Sequence, residues 1–129
     1  MKHFILILFA AVAIQISACK KDNKTKADTT LTGKWKLVRN KISSGGPMYW
    51  VKATNVSYAL FNTDGTLDGT AFNDFKFYTL KDSVTLTLNK ADKTEYEDYR
   101  YNIKGDSLTM SPLGPVICIE GCAMQFIKE

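Results

Sequence analysis

The sequence predicts an all-β domain, an antiparallel meander of about eight short strands that closes into a small barrel. Three observations carry this. From Gly33 onward apolar and polar residues alternate in short segments, and nothing sustains a helical period. Turn residues such as Asp64-Gly65, Lys81-Asp82 and Lys104-Gly105-Asp106 punctuate the chain at the close spacing seen in barrels and sandwiches. The links between strands are short, which suits hairpin neighbours, and closing the sheet removes the edges it would otherwise expose. A Greek-key sandwich is the alternative arrangement of the same strands.

The first strand, residues 34–40, sets Trp35 and Leu37 against Lys34 and Lys36. Residues 56–61 are largely apolar and stop at Asn62-Thr63-Asp64-Gly65, where the Asp-Gly pair supplies the positive φ of a tight hairpin. Residues 66–72 form a weaker strand with Gly69 as a bulge or bend. Residues 74–80 place Phe75 and Phe77 on one side. Next, Val84, Leu86 and Leu88 alternate with Thr85 and Thr87, the pattern of a strand with one buried face. Residues 95–103 carry Tyr99, Tyr101 and Ile103 on one face and Asp98, Arg100 and Asn102 on the other. Leu108 and Met110 point inward on the following strand, and Met124 and Phe126 on the last. Between the first two strands runs a glycine-rich loop, Ser43-Ser44-Gly45-Gly46-Pro47, continuing into Met48, Tyr49 and Trp50. It reads either as a lid over the barrel mouth or as an apolar plug closing one end.

Before this domain lies a leader. A positive start, an apolar run over residues 4–14 and small residues before Cys19 are the parts of a secretory signal. The run is shorter than the about 20 residues a membrane span needs. Ile16-Ser17-Ala18-Cys19 resembles the lipobox of bacterial lipoproteins, which implies cleavage after residue 18 and a lipid on the Cys19 thiol. Residues 19–30 contain Lys20, Lys21, Lys24 and Lys26 but no aromatic or large aliphatic residue, so they read as a flexible tether. Fully extended, the tether reaches on the order of 35 to 40 Å. The organisation expected is thus leader 1–18, lipidated tether 19–30 and barrel 31–129.

Charge and composition exclude several functions. Beyond residue 30 acidic and basic residues nearly balance, unlike the concentrated positive face of a nucleic-acid binder. The one histidine, His3, falls in the leader, so the domain has neither a Ser-His nor a Cys-His nucleophile. No enzyme activity, cofactor or metal is expected. Glu95, Glu97 and Asp98 read as a solvated face rather than a paired-carboxylate centre, and Asp64, Asp68 and Asp74 lack calcium-loop spacing. Cys118 and Cys122 are left as a pair in an oxidising compartment, with enough chain between them for a disulfide.

The order of several segments carries a resemblance. Leu31-Thr32-Gly33-Lys34-Trp35-Lys36-Leu37 looks like the Gly-x-Trp opening strand of lipocalins. Together with Trp50-Val51, Tyr58 to Phe61 with Asp64-Gly65-Thr66, Tyr101 to Leu108, and Cys118-Ile119-Glu120-Gly121-Cys122, it is similar to small lipocalin-like lipoproteins of Bacteroidota-type bacteria. The resemblance implies a lipocalin-like barrel with an apolar ligand in its mouth, and Lys128 as the basic side chain covering Trp35. It also implies lipid anchoring at the cell envelope, in the outer membrane, with the membrane as partner through Cys19. The ligand-binding residues expected are Trp35, Met48, Tyr49, Trp50, Phe75, Phe77, Tyr99 and Tyr101. The competing expectation is an envelope protein–protein interaction module, such as an enzyme inhibitor or accessory subunit, whose interior is fully packed. A void of a few hundred Å³ separates the two.

Overall fold

The computed structural model describes residues 30–116, 118 and 122–129. The leader, Cys19 and the tether as far as residue 29 lie outside the described residues. Nine strands form among the described residues: β1 (Gly33–Ile42), β2 (Tyr49–Lys52), β3 (Tyr58–Phe61), β4 (Leu67–Gly69), β5 (Phe77–Leu80), β6 (Thr85–Asn89), β7 (Tyr96–Lys104), β8 (Ser107–Gly114) and β9 (Ala123–Lys128). No helix occurs among the described residues. All the pairings are antiparallel, in the order β4-β3-β1-β9-β8-β7-β6-β5, and β2 adds to β1 beyond β3. The sheet is therefore a barrel closed everywhere except between β4 and β5. That seam is pinned at one end only, where Thr66 bridges Phe77, Leu67 N–H donates to Lys76 O and Tyr78 N–H donates to Gly65 O (both 2.9 Å).

One end of the barrel is filled. Trp35, Phe61, Leu67, Leu86, Leu88, Leu108, Met110 and Phe126 have essentially no exposed surface. They come from alternate positions on six strands, the arrangement the period-2 pattern dictates. Trp35 is completely buried, yet its indole N–H donates to Leu31 O at 2.7 Å, so the core holds no unsatisfied donor there. The Lys128 ammonium stands 5.3 Å from the Trp35 ring centroid, the basic cover anticipated from sequence. Gly33, at φ +119°, makes room for it, because a Cβ there would lie 3.2 Å from Lys128 Cε.

Gly69 explains why β4 is short. The sequence pattern suggested a strand over residues 66–72, but the chain turns at Gly69 (φ +106°), and Thr70 N–H and Ala71 N–H both donate to Tyr58 O at 2.9 Å. The turn drops Phe72 into the core, edge-on to Tyr99 at 5.5 Å and beside Phe126 at 6.0 Å. A second consequence follows for β5. Phe75 belongs to the turn before the strand, so Tyr78, not Phe77, shares the inward face, where its ring meets Phe61 edge-on at 5.1 Å. Phe77 faces outward with the Lys93 ammonium 4.7 Å from its ring centroid.

The Asn62-Thr63-Asp64-Gly65 turn is as the sequence implied. Gly65 takes φ +86°, and Asp64 Oδ1 accepts from Thr66 N–H (2.9 Å) and Thr66 Oγ1–H (2.6 Å). These bonds favour the ionised carboxyl and hold it below the usual carboxylate range.

On the outer face, Thr87 and Asp98 are cross-strand partners. Asp98 pairs with Lys81 Nζ at 2.7 Å and accepts from Thr87 Oγ1–H at 2.5 Å, which together lower its carboxyl pKa. A depressed folded-state pKa stabilises above the unfolded value of about 3.9 and stops doing so as pH falls through the folded value. Asp98→Asn is therefore expected to cost about 1 kcal/mol at pH 7, and urea melts should show the gap to wild type shrinking as the pH falls below about 4.

Candidate functional site

Two irregularities shape the other end of the barrel. In β1 the register with β9 slips between Leu37 and Arg39, so Val38 is an extra residue. A one-residue slip exchanges the two faces of a strand. Trp35 and Leu37 point inward before the bulge, and Asn40, opposite Met124, takes the inward position after it. In β8 the register with β7 slips in the same manner, from Gly114 opposite Asp98 to Pro112 opposite Tyr99. Pro112 lacks an N–H and is tolerated in a strand at such a break. Both bulges lie toward the same end, away from Trp35, and bulges bend the strands that carry them.

A cavity of about 530 Å³ opens there, lined mostly by apolar atoms. Asn40, Lys41 and Ile42 of β1 form one wall, and Ala123 and Met124 of β9 continue it. Opposite them stand Pro112 of β8 and Glu97 and Tyr99 of β7, with Phe75 from the turn before β5. The link from β8 to β9 contributes Val116, Cys118 and Cys122. Cys118 and Cys122 stand at disulfide distance, with Cα atoms 5.7 Å apart, and Cys122 N–H donates to Cys118 Sγ at 3.2 Å. The pair expected to form a disulfide thus also forms part of the cavity rim.

Glu97 is the polar residue of consequence. Its side chain is buried, with the residue only 5% exposed. Oε2 accepts from Val116 N–H at 3.0 Å, whereas Oε1 is buried without a hydrogen-bond partner. Its neighbour Tyr99 has its phenol pushed up to about 12 by burial and, secondarily, by the charge of Glu97, so it remains a neutral hydroxyl. The expectation of a solvated carboxylate face is corrected here. Glu95 lies outside in an ion pair with Lys90, Asp98 pairs on the outer face, and Glu97 turns in. Glu97 has the parity of Tyr99 and Tyr101, and that alternation outweighs its charge.

Of the ligand-binding residues expected from sequence, the structure brings two to the cavity, Phe75 and Tyr99. Trp35 belongs to the filled end, Tyr101 packs half-buried against that core, and Phe77 lies outside. Met48, Tyr49 and Trp50 neither cover nor plug the mouth. The glycine-rich segment is a hairpin turn, closed by Ser43 Oγ–H donating to Gly46 O at 2.7 Å, and Tyr49 and Trp50 sit on β2 against the end of β1. All three side chains are exposed. Trp50 lies opposite Lys41 on the outer face, with Arg39 and Lys41 cations 5.5 and 5.9 Å from its ring. Asn40, Ile42, Glu97, Pro112, Val116, Ala123 and Met124 are cavity residues that the sequence reading did not single out for binding. The strand parity of Glu97 was the available signal.

Fold and site together define a small antiparallel β-barrel, filled at one end and hollow at the other. No protein-family model matches the chain, and a search of the curated proteins finds no significant match.

Proposed function

We propose that the chain is a lipid-anchored, lipocalin-like binding protein of the bacterial cell envelope that holds a small apolar ligand, or an apolar peptide segment, in its mouth. The observation carrying this reading is the cavity of about 530 Å³ at the bulged end of the barrel. Its size lies in the ~300 to 1,000 Å³ range of small-molecule sites, and its makeup matches theirs, apolar walls with few polar groups. A barrel that served only as a scaffold for surface loops gains nothing from leaving these apolar walls open to water, since covering them would be stabilising. The leader and the Ile16-Ser17-Ala18-Cys19 motif support the anchoring, in the outer membrane, through lipid on Cys19.

The test is native mass spectrometry of the protein purified from its own envelope. A co-purifying small molecule is expected, and Ala123→Phe, which places a ring in the cavity, should reduce its occupancy about tenfold. A clean apo mass under gentle conditions would remove the basis for the binding reading. Separately, Cys19→Ala should move the protein out of the membrane fraction, and retention there would exclude a lipid anchor.

One observation favours the interaction-module reading, the exposed Met48, Tyr49 and Trp50 on the β1–β2 hairpin beside Arg39 and Lys41. Exposed aromatics next to arginine are typical of interface anchors. On that reading Trp50→Ala abolishes a protein complex while cavity occupancy is unchanged.

A further inference from the structure

We infer that the cavity selects ligands carrying a cationic amine, which pairs with the unsatisfied Glu97 Oε1. The inference rests on the cavity being a ligand site and adds the chemistry of its occupant. Three features of the wall support it. Glu97 lines the cavity and is 95% shielded from solvent, since only 5% of it is exposed. Oε2 accepts from Val116 N–H at 3.0 Å, and Oε1 has no partner and is covered by its neighbours, so a ligand's ammonium reaches it as those neighbours part. No cation answers it among the described residues. Lys41, the one basic residue of the wall among the described residues, has its ammonium 5.9 Å from the Trp50 ring on the outer face, and Lys90 is paired with Glu95.

A buried acceptor without a partner costs about 1 to 3 kcal/mol, more when it is charged. Native proteins keep such groups where something else completes them. An N⁺–H donor fits best, because a charge-assisted hydrogen bond is about twice as strong as a neutral one and the ammonium also neutralises the carboxylate. A hydroxyl supplies the hydrogen bond without the charge. A fatty-acid carboxylate brings a second negative charge into an apolar site and is disfavoured by repulsion and desolvation alike. The apolar walls, with Ile42, Met124 and Phe75 among them, then take the hydrocarbon part of the same molecule.

Isothermal titration of the full chain with decylamine, decanol and decanoate tests this. Decylamine is expected to bind at least about tenfold more tightly than decanoate, with decanol between them. Glu97→Gln, nearly isosteric, should bring the amine-to-carboxylate affinity ratio close to one. Equal affinities in the wild type, or a preference for the carboxylate, would overturn the inference and leave the cavity reading standing. A preference for the amine that survives Glu97→Gln would overturn it too. If none of the three binds, the amine inference falls, and the native mass spectrometry above decides the cavity reading by itself. Should Glu97→Gln not fold, the wild-type ratio alone decides.

Discussion

Trp35→Ala is expected to cost about 4 kcal/mol, lowering the midpoint of thermal unfolding by roughly 15 to 30 °C. Three losses combine. The indole is completely buried, so its removal leaves a large void in the filled end. Its N–H···O bond to Leu31, at 2.7 Å, disappears and leaves the carbonyl of a buried residue unanswered. The Lys128 ammonium loses the ring it covers. Domains of this size are stable by only about 5 to 15 kcal/mol, so a large share of the total is at stake. Denaturant melts of the two forms measure it directly, and a change under about 1 kcal/mol would contradict the burial of this side chain.

Gly69→Ala is expected to be nearly as damaging although it adds a single methyl group, at about 3 kcal/mol. The residue adopts φ +106°, which L side chains rarely do, and the new Cβ would run into the backbone carbonyl of Tyr58. That carbonyl cannot step aside cheaply, since it accepts from both Thr70 and Ala71 N–H and belongs to β3, which lies against β1. Moving the turn would also withdraw Phe72 from Tyr99 and Phe126. Circular dichroism melts should show the loss, and a neutral outcome would mean that the turn relaxes freely.

Most of the barrel was legible because its strands are short and one-sided. Leu86 and Leu88 among threonines, or Leu108 and Met110, leave little choice of face once an interior exists. The site was less legible for a physical reason. Its walls begin where alternation breaks, and a bulge carries no sequence mark of its own. Val38 looks like any strand valine, yet past it the inward positions change parity and bring Asn40 to the cavity side. Phe77 misled in a related way, since the strand that would have aligned it with Phe75 begins only at Phe77 itself. Tyr49 and Trp50 were misplaced because Gly45, Gly46 and Pro47 suggested a long loop, where a compact turn lets β2 return along β1. Glu97 is the instructive case. Its period placed it beside Tyr99, whereas its charge argued for solvent, and the period prevailed.

The pairing of β1 with β9 has a consequence for when this molecule can fold. Residues 35–41 meet residues 123–128 along one edge, so the opening strand has no neighbour there until residues 123–128 have been delivered. Contacts this distant along a polypeptide form slowly and late. A ribosome that still holds residues 123–128 therefore holds the β1–β9 side of the ring open, whatever the other strands have already done.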